Sequence, residues 1–335
     1  MPSRSGLHAR ISRAARLAAC MVAACGIALA CSKPGGDSAP SASGASASPA
    51  ATSSVATSPV AAAAQPVTEL TPELYMVATR AGNMAVLVEK DSSLLVGPQL
   101  PSLDSAARAL LAEHHAGPVR MVVATSADSA PEYADGGWGH DGALVLAHEN
   151  LRARMTRLRR SGAPLPPDAQ RNALPTLGFS EVVQMYVSGN AVHAIHHHAG
   201  STDADLIVHF ENPNVIYLGN TLTTDGYPAI DVSRGGSIAG MIQTIDSFKD
   251  FPAQTRFIPG RGPVASIQAL HSYDAMLTGV LGRVKRAMDA GQSEAQVIAS
   301  KPTASYDATW GHGPVSPDAF ARMVYESLTA DSAQR

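Results

Sequence analysis

A cluster of histidines and acidic residues near the middle of the chain is the part of the sequence best equipped for chemistry. His196, His197 and His198 follow an apolar run typical of a β-strand, and Asp203 and Asp205 come a few residues later. Successive residues of a strand point to opposite faces, so His196 and His198 could share one side. Imidazole and carboxylate groups are common zinc ligands. The pattern is therefore compatible with a metal site made by His196, His198, Asp203 and Asp205.

These residues also have an interpretation that involves no metal or catalysis. Partly solvated histidines at the edge of a sheet need no ligand, and we favour this interpretation for His196 and His198. Ser126 and Ser201 could be imagined as nucleophiles. Neither serine lies in a G-x-S-x-G motif or has a recognisable partner base, which favours a role as small polar filler.

The elements that must position these residues fall into two groups along the chain. Apolar runs typical of strands occur at 74–78, 84–88, 94–96, 119–124, 143–147 and 181–187. Helical spacing of apolar residues occurs at 103–115, from Ser237 onwards and at 266–290. Two groups of strands, each followed by helices, predict an α/β fold in which two sheets are sandwiched between helices.

The N-terminus has the pattern of an export signal. Four arginines within the first 16 residues precede an apolar run, which ends near residue 30 and is too short to span a bilayer. The run closes on Ala-Leu-Ala-Cys31, which resembles the lipobox of bacterial lipoproteins; an ordinary signal peptide is the alternative. We predict a lipoprotein signal peptide over 1–30, lipidation of Cys31, and a lipid anchor facing the periplasm. Ser32 favours the outer membrane.

The composition of the chain changes sharply after the signal segment. Residues 31–66 are mainly Ala, Ser, Pro and Gly, which predicts a disordered tether, and a folded domain is predicted over 67–335. All three cysteines lie at or before Cys31, so the folded domain can contain no disulfide. After residue 30 the chain carries 21 basic and 28 acidic residues, a balance of −7. This acidic balance argues against a nucleic-acid partner.

Several short phrases of the sequence resemble, in order, the metallo-β-lactamase fold hydrolase superfamily. Thr-Asp-Ala-Asp at 202–205 resembles the second metal-binding loop, and Ile-Pro-Gly-Arg-Gly-Pro at 258–263 resembles the last one. Further phrases match at Gly82-Asn83, at 147–150, at Tyr227-Pro228 and at 235–237. The resemblance covers nearly the whole of the predicted domain. It implies an αββα sandwich with C-terminal helices and, in ordinary members, a pair of bound metal ions.

The departures from this family fall on the metal ligands themselves. The family motif Thr-His-x-His-x-Asp-His falls on residues 125–131, where only Asp128 could bind a metal. The next histidine falls on Ser201, the bridging aspartate on Asn220, and the last histidine on Arg261, a permanent cation. The degenerate metal-site positions are therefore Ser126, Asp128, Ala130, Pro131, Ser201, Asn220 and Arg261.

Two classes of function follow from the resemblance and its departures. The favoured one is a non-catalytic, membrane-tethered lipoprotein that needs no cofactor and binds an unknown small molecule or protein in the former metal pocket. The alternative is a hydrolase that retains activity, either through a displaced zinc ion held by His196, His198, Asp203 and Asp205 or without a metal. The first class is favoured because a metal enzyme cannot lower the pKa of water without its metal.

An emptied metal pocket that still contains a carboxylate requires a compensating positive charge. The family geometry brings the positions of Asp128 and Arg261 to the same pocket from different strand ends. We therefore expect Arg261 to form a buried ion pair with Asp128 or Asp203 in place of the metals. The alternative is that Arg261 turns outward to solvent.

Overall fold

A computed structural model describes residues 67–98, 100–125, 137–160 and 174–333 of the chain. The predicted signal peptide, the predicted tether and Cys31 lie outside these residues, as do Ser126, Asp128, Ala130 and Pro131. Within the described ranges, no helix combines the length and the apolar composition that a membrane span requires.

Within the described residues, the first sheet has seven strands, which lie side by side in chain order. They are β1 (Val67–Glu69), β2 (Leu74–Thr79), β3 (Gly82–Leu87), β4 (Ser93–Val96), β5 (Val119–Ala124), β6 (Leu144–His148) and β7 (Leu177–Phe179). Neighbouring strands are antiparallel from β1 to β4 and parallel from β4 to β7. The parallel half directs the ends of β5 and β6 to the same edge of the sheet.

The second sheet has six strands in the described part of the chain. They are β8 (Val182–Val187), β9 (Asn190–Ile195), β10 (Ile207–Phe210), β11 (Val215–Thr223), β12 (Arg256–Arg261) and β13 (Ala265–Ser266). Their order across the sheet is β13-β12-β11-β10-β9-β8. Only β11 and β12 are parallel among these described pairs, and their register shifts twice before Thr223 comes opposite Arg261.

Helices cover the outer faces of both sheets. Those described are α1 (Pro101–Glu113), α2 (Gly137–His140), α3 (Glu149–Arg160), α4 (Ile238–Asp246), α5 (Ile267–Asp289), α6 (Glu294–Ala299), α7 (Asp307–Trp310) and α8 (Pro317–Ala333). Ser237 begins α4 because its hydroxyl accepts a hydrogen bond from Gly240 N at 3.3 Å, and Ser266 begins α5 in the same way. The helices predicted over 103–115 and 266–290 are confirmed to within two residues.

Apolar layers between the sheets and the helices hold the described structure together. The layer between the two sheets contains Leu87, Leu146, Phe210 and Tyr217. A second layer joins α1 to the first sheet, and a third joins α4, α5 and α8 to the second sheet. Complete burial of a side chain of this size contributes about 1.5–3 kcal/mol. The order helix, sheet, sheet, helix confirms the predicted αββα sandwich with C-terminal helices.

Contacts between the sheets fix the ends of the strands relative to each other. The Nδ2 group of Asn83 donates to the carbonyls of Pro259 and Gly262, both at 2.9 Å. The hydroxyl of Tyr217 donates to the Asn83 carbonyl at 3.0 Å. These bonds tie β3 of the first sheet to β11, to β12 and to the loop after β12 in the second sheet.

Candidate active site with degenerate ligands

The end of β5, the loop between β9 and β10, and the ends of β11 and β12 meet at one edge of the sandwich. Leu206 N, just before β10, donates to the carbonyl of Thr125 at the end of β5 at 3.0 Å. A Cβ atom on Gly200 would lie 3.0 Å from Asp205 Oδ2 and 3.1 Å from Thr221 Oγ1. The loop carrying Ser201 therefore lies directly against the end of β11.

Asp205 is the centre of the loop that precedes β10. Its Oδ2 accepts hydrogen bonds from the backbone N–H groups of Ser201 and Thr202, at 2.6 and 3.3 Å. Its Oδ1 accepts from the hydroxyls of the same two residues, at 2.8 and 2.9 Å. Burial raises the pKa of the Asp205 carboxyl, while these four hydrogen bonds act in the opposite direction. All four bonds come from residues three or four positions away, so Asp205 closes its own loop.

Ser201 therefore takes part in the structure of this loop. Its side chain is buried, its hydroxyl donates to Asp205, and its carbonyl accepts from Asp231 N at 2.9 Å. The position at which the family resemblance expects a metal-binding histidine is thus filled by a small hydroxyl that bonds to a neighbouring carboxylate.

Asp203 is paired with an arginine, but not with the one that we expected. Arg154 on α3 donates to Asp203 Oδ1 and, at 3.3 Å, to the Arg234 carbonyl. Asp203 N donates to the same carbonyl at 3.0 Å. The expectation that Arg261 pairs with Asp203 is therefore wrong. The physical reason is that α3 crosses directly behind this loop and delivers Arg154 to it.

Arg261, at the end of β12, lies beside Asp225 instead. One guanidinium nitrogen is 3.6 Å from Asp225 Oδ1, and the Arg261 side chain is 22% exposed. Asp225 Oδ1 also accepts from the Thr223 hydroxyl at 2.6 Å, and Thr224 N donates to the Arg261 carbonyl at 3.0 Å. The irregular end of β11 brings Asp225 alongside β12, and this explains the choice of partner.

Asn220 lies in the same irregular part of β11, next to Gly260. A Cβ on Gly260 would lie 2.8 Å from Gly219 C and 2.9 Å from Asn220 N, so glycine is required for the two backbones to approach so closely. The expected bridging carboxylate is thus replaced by a neutral amide, which lies against the backbone of β12.

The histidines of the central cluster are divided among different environments. His196 Nδ1 donates to the Asp205 carbonyl at 2.8 Å, and its ring lies 4.2 Å from that of His148. Burial, and secondly the neighbouring His196, lower the pKa of His148. His197 packs edge-on against Phe248, and burial lowers its pKa to about 4.

His198 is exposed at the surface. It lines a groove of about 460 Å³ together with Ala199, Ser237, Ala239, Gly240, Gln243 and Asp331. His198 thus faces this groove, while the other members of the proposed displaced site lie elsewhere.

Across the described residues, no three His, Cys, Asp or Glu side chains are arranged to hold a metal ion. Asp205 is enclosed by its own loop, Asp203 is bound to Arg154, and His196 is turned towards a backbone carbonyl. Ser201, Asn220 and Arg261 offer hydroxyl, amide and guanidinium groups, which are not the ligands of a zinc centre. The described residues at this edge therefore do not fit zinc.

Sequence reasoning missed four residues at this edge. Arg154 is one of several arginines in residues 152–160, a pattern that identifies no partner, and Asp225 carried no signal at all. Thr125 and Thr221 are buried, and their hydroxyls have no hydrogen-bond partner among the described residues. A buried, unsatisfied hydroxyl becomes visible only in three dimensions.

Comparisons with known proteins concern the fold alone. No protein-family model and no curated protein sequence matches the chain. The solved structure of the stereoselective inverting sec-alkylsulfatase Pisa1 from Pseudomonas sp. aligns with a TM-score of 0.58 and 14% identity, over 78% of this chain and 50% of that one. A double mutant of the same sulfatase aligns with a TM-score of 0.58 and 16% identity, over 79% and 50%. This chain thus spans half the length of the sulfatase.

A second kind of enzyme with a similar structure is smaller. The DIM-1 metallo-β-lactamase, in a structure exposed to ceftazidime, aligns with a TM-score of 0.50 and 11% identity, over 64% of this chain and 96% of that one. The alignment therefore takes in nearly the whole lactamase. Together with the two sheets, their order and the C-terminal helices, these likenesses show that the chain has the metallo-β-lactamase fold.

Proposed function

We propose that this protein is a membrane-tethered lipoprotein whose metallo-β-lactamase-like domain is non-catalytic. In this proposal the former metal pocket binds a small molecule or a side chain of a partner protein. Lipidation of Cys31 would anchor the domain at a periplasmic membrane surface, with residues 31–66 as the tether.

The observation that supports a non-catalytic role is the state of the acidic groups around the pocket. Asp205 already accepts four hydrogen bonds from Ser201 and Thr202, and Asp203 is paired with Arg154. A metallohydrolase of this fold must hold a metal that lowers the pKa of a bound water. Both oxygens of Asp205 are thus engaged by its own loop, and a metal ion at Asp203 would compete with the Arg154 guanidinium for the same carboxylate.

A role in binding is supported by the polar groups that remain. The buried hydroxyls of Thr125 and Thr221 have no partner among the described residues, and Arg261 is partly exposed at the end of β12. Buried groups of this kind are usually satisfied by water or by a bound molecule. They favour a polar ligand over an apolar one.

Elemental analysis tests this proposal. The whole chain carrying Cys31→Ser, purified and dialysed without chelator, is expected to contain zinc, iron and manganese far below one ion per chain. A stoichiometric content of any of them would overturn the non-catalytic proposal. In that case the double variant His196→Ala/His198→Ala would show whether the metal is held by the displaced site of the alternative hydrolase.

A further inference from the structure

The four outermost strands of the two sheets differ in how they are protected from pairing with another strand. Three are short: β1 and β7 have three residues each, and β13 has two. In addition, β1 ends in Glu69, and β13 leads directly into α5. Short length and charged residues are the usual means by which proteins prevent unwanted edge pairing.

The remaining edge strand, β8, has neither form of protection. It runs for six residues, Val-Val-Gln-Met-Tyr-Val, with no charged residue and no proline. One side of β8 pairs with β9, with Gln184 opposite His193 and Tyr186 opposite Ala191. In the described part of the chain, no strand pairs with its other side.

The side chains of β8 are also unusually exposed for a strand of this composition. Tyr186 is 69% exposed, the highest value among the exposed large hydrophobic residues that are described. Gln184 is exposed beside it and donates to the Tyr186 hydroxyl at 2.9 Å. Met185 and Val187 point the other way, into the layer between the sheets. Met185 and Val187 therefore anchor β8 to the core, while the exposed side chains of Gln184 and Tyr186 remain available for contact.

We propose that β8 pairs in antiparallel orientation with β8 of a second copy of this chain, so that the six-stranded sheets of two copies become continuous. A two-fold axis at Gln184 would place the two Gln184 side chains opposite each other. Tyr186 would then face Val182 of the second copy. Aromatic and β-branched residues form favourable cross-strand pairs.

The charges around β8 favour a second copy in this orientation. Glu181 immediately precedes the strand, while Ser188 and Gly189 follow it. In the antiparallel arrangement, Glu181 lies opposite the uncharged Val187 of the second copy, and the two carboxylates are at opposite ends of the interface. A parallel arrangement would bring the two Glu181 side chains together, which like-charge repulsion disfavours. Because β8 is uncharged and matches itself in this register, a second copy is sufficient to pair the backbone groups on its free side.

Sedimentation analysis of the whole chain carrying Cys31→Ser tests the proposal. A dimer is expected within the range from low micromolar to near millimolar protein. Gln184→Lys places two ammonium groups opposite each other, so the dissociation constant should rise by at least about tenfold. Thr68→Lys on the exposed, short β1 edge is the matched control and should leave it unchanged. A monomer throughout the range, or a dimer indifferent to Gln184→Lys, overturns the proposal.

Cysteine cross-linking tests the orientation separately. In a chain with Cys20, Cys25 and Cys31 replaced by serine, Gln184→Cys should form an intermolecular disulfide under mild oxidation in most of the protein. Thr68→Cys should not. Equal cross-linking of the two variants would mean random collision and would contradict β8 pairing. Because neither experiment involves the metal pocket, the outcome is independent of the proposed function.

Discussion

Arg154 on α3 forms an ion pair with Asp203, 49 residues later, in the loop that carries Ser201. The Arg154 side chain is 15% exposed, and its guanidinium also bonds to the Arg234 carbonyl. The cation that compensates the acidic groups of this loop is therefore Arg154, whereas Arg261 is more than 3.5 Å from its own acidic neighbour, Asp225. The two arginines should contribute very differently to stability.

We expect Arg154→Ala to lower the free energy of unfolding by about 2 kcal/mol, because it removes charge-assisted hydrogen bonds from a mostly buried group. Arg261→Ala should change it by less than about 1 kcal/mol, as is usual for a long ion pair with a well-exposed carboxylate. Urea denaturation of both variants measures the difference. Equal losses for the two variants would contradict the assignment of Arg154 as the principal cation.

Asp205→Asn should be one of the most destabilising changes in the domain. The amide oxygen could accept only from the backbone N–H groups, the hydroxyls of Ser201 and Thr202 would have to rotate and accept from the NH2 group, and all four bonds would lose their charge assistance. We expect a loss of about 3 kcal/mol or failure to fold. Asp225→Asn, at a half-exposed aspartate, is the matched control and should cost less than about 1 kcal/mol. Thermal unfolding of the two variants gives the comparison, and a stable Asp205→Asn protein would contradict it.

The stability of the domain should fall in acid because of two histidines, His197 just after β9 and His209 in β10. Burial lowers the pKa of His197 and of His209 to about 4. The groups that face His197 are Phe248, His196 and His198, and those that face His209 are Phe251, His193 and Glu211.

Because the folded pKa lies below the unfolded value of about 6.5, the unfolded chain binds more protons between these two values. Each histidine therefore makes its full contribution to the free energy of unfolding above pH 6.5. This contribution, about 3 kcal/mol for each histidine, is lost as the pH falls towards 4. Denaturant unfolding at several pH values measures the slope. His197→Asn/His209→Asn should flatten it, and an unchanged slope in this variant would assign the acid sensitivity to other groups.

Replacement of Cys31 tests the membrane anchor. The native chain is expected to fractionate with membranes and to carry a lipid on Cys31, whereas Cys31→Ser should appear in the soluble fraction. Cys25→Ser is the matched control, since it lies within the predicted signal peptide and should leave the anchor in place. A Cys31→Ser protein that stays in the membrane fraction, with no acyl group on the native chain, would rule out lipid anchoring.

Much of the fold could be read from local patterns in the sequence. Helix starts at Ser237 and Ser266 depend on hydrogen bonds within one turn, so a serine before an apolar repeat is sufficient to predict them. The hydrogen bonds of Asp205 are equally local, although the sequence suggested a metal ligand there. Ser201, Asn220 and Arg261 can be read directly from the sequence. The family resemblance is what predicts that they occupy former metal-ligand positions.

Only the tertiary structure decided which charged groups meet. Asp203 could have paired with Arg154 or Arg261, and nothing in the spacing of these residues distinguishes the two. The choice depends on where α3 crosses the loop between β9 and β10, and on how the register of β11 shifts against β12. The same is true of β8, whose composition predicts a strand but not its place at the edge of a sheet. Local hydrogen bonds and apolar periodicity depend on residues that are close together in the sequence. Ion pairs and sheet edges result from packing between segments that are far apart in the chain.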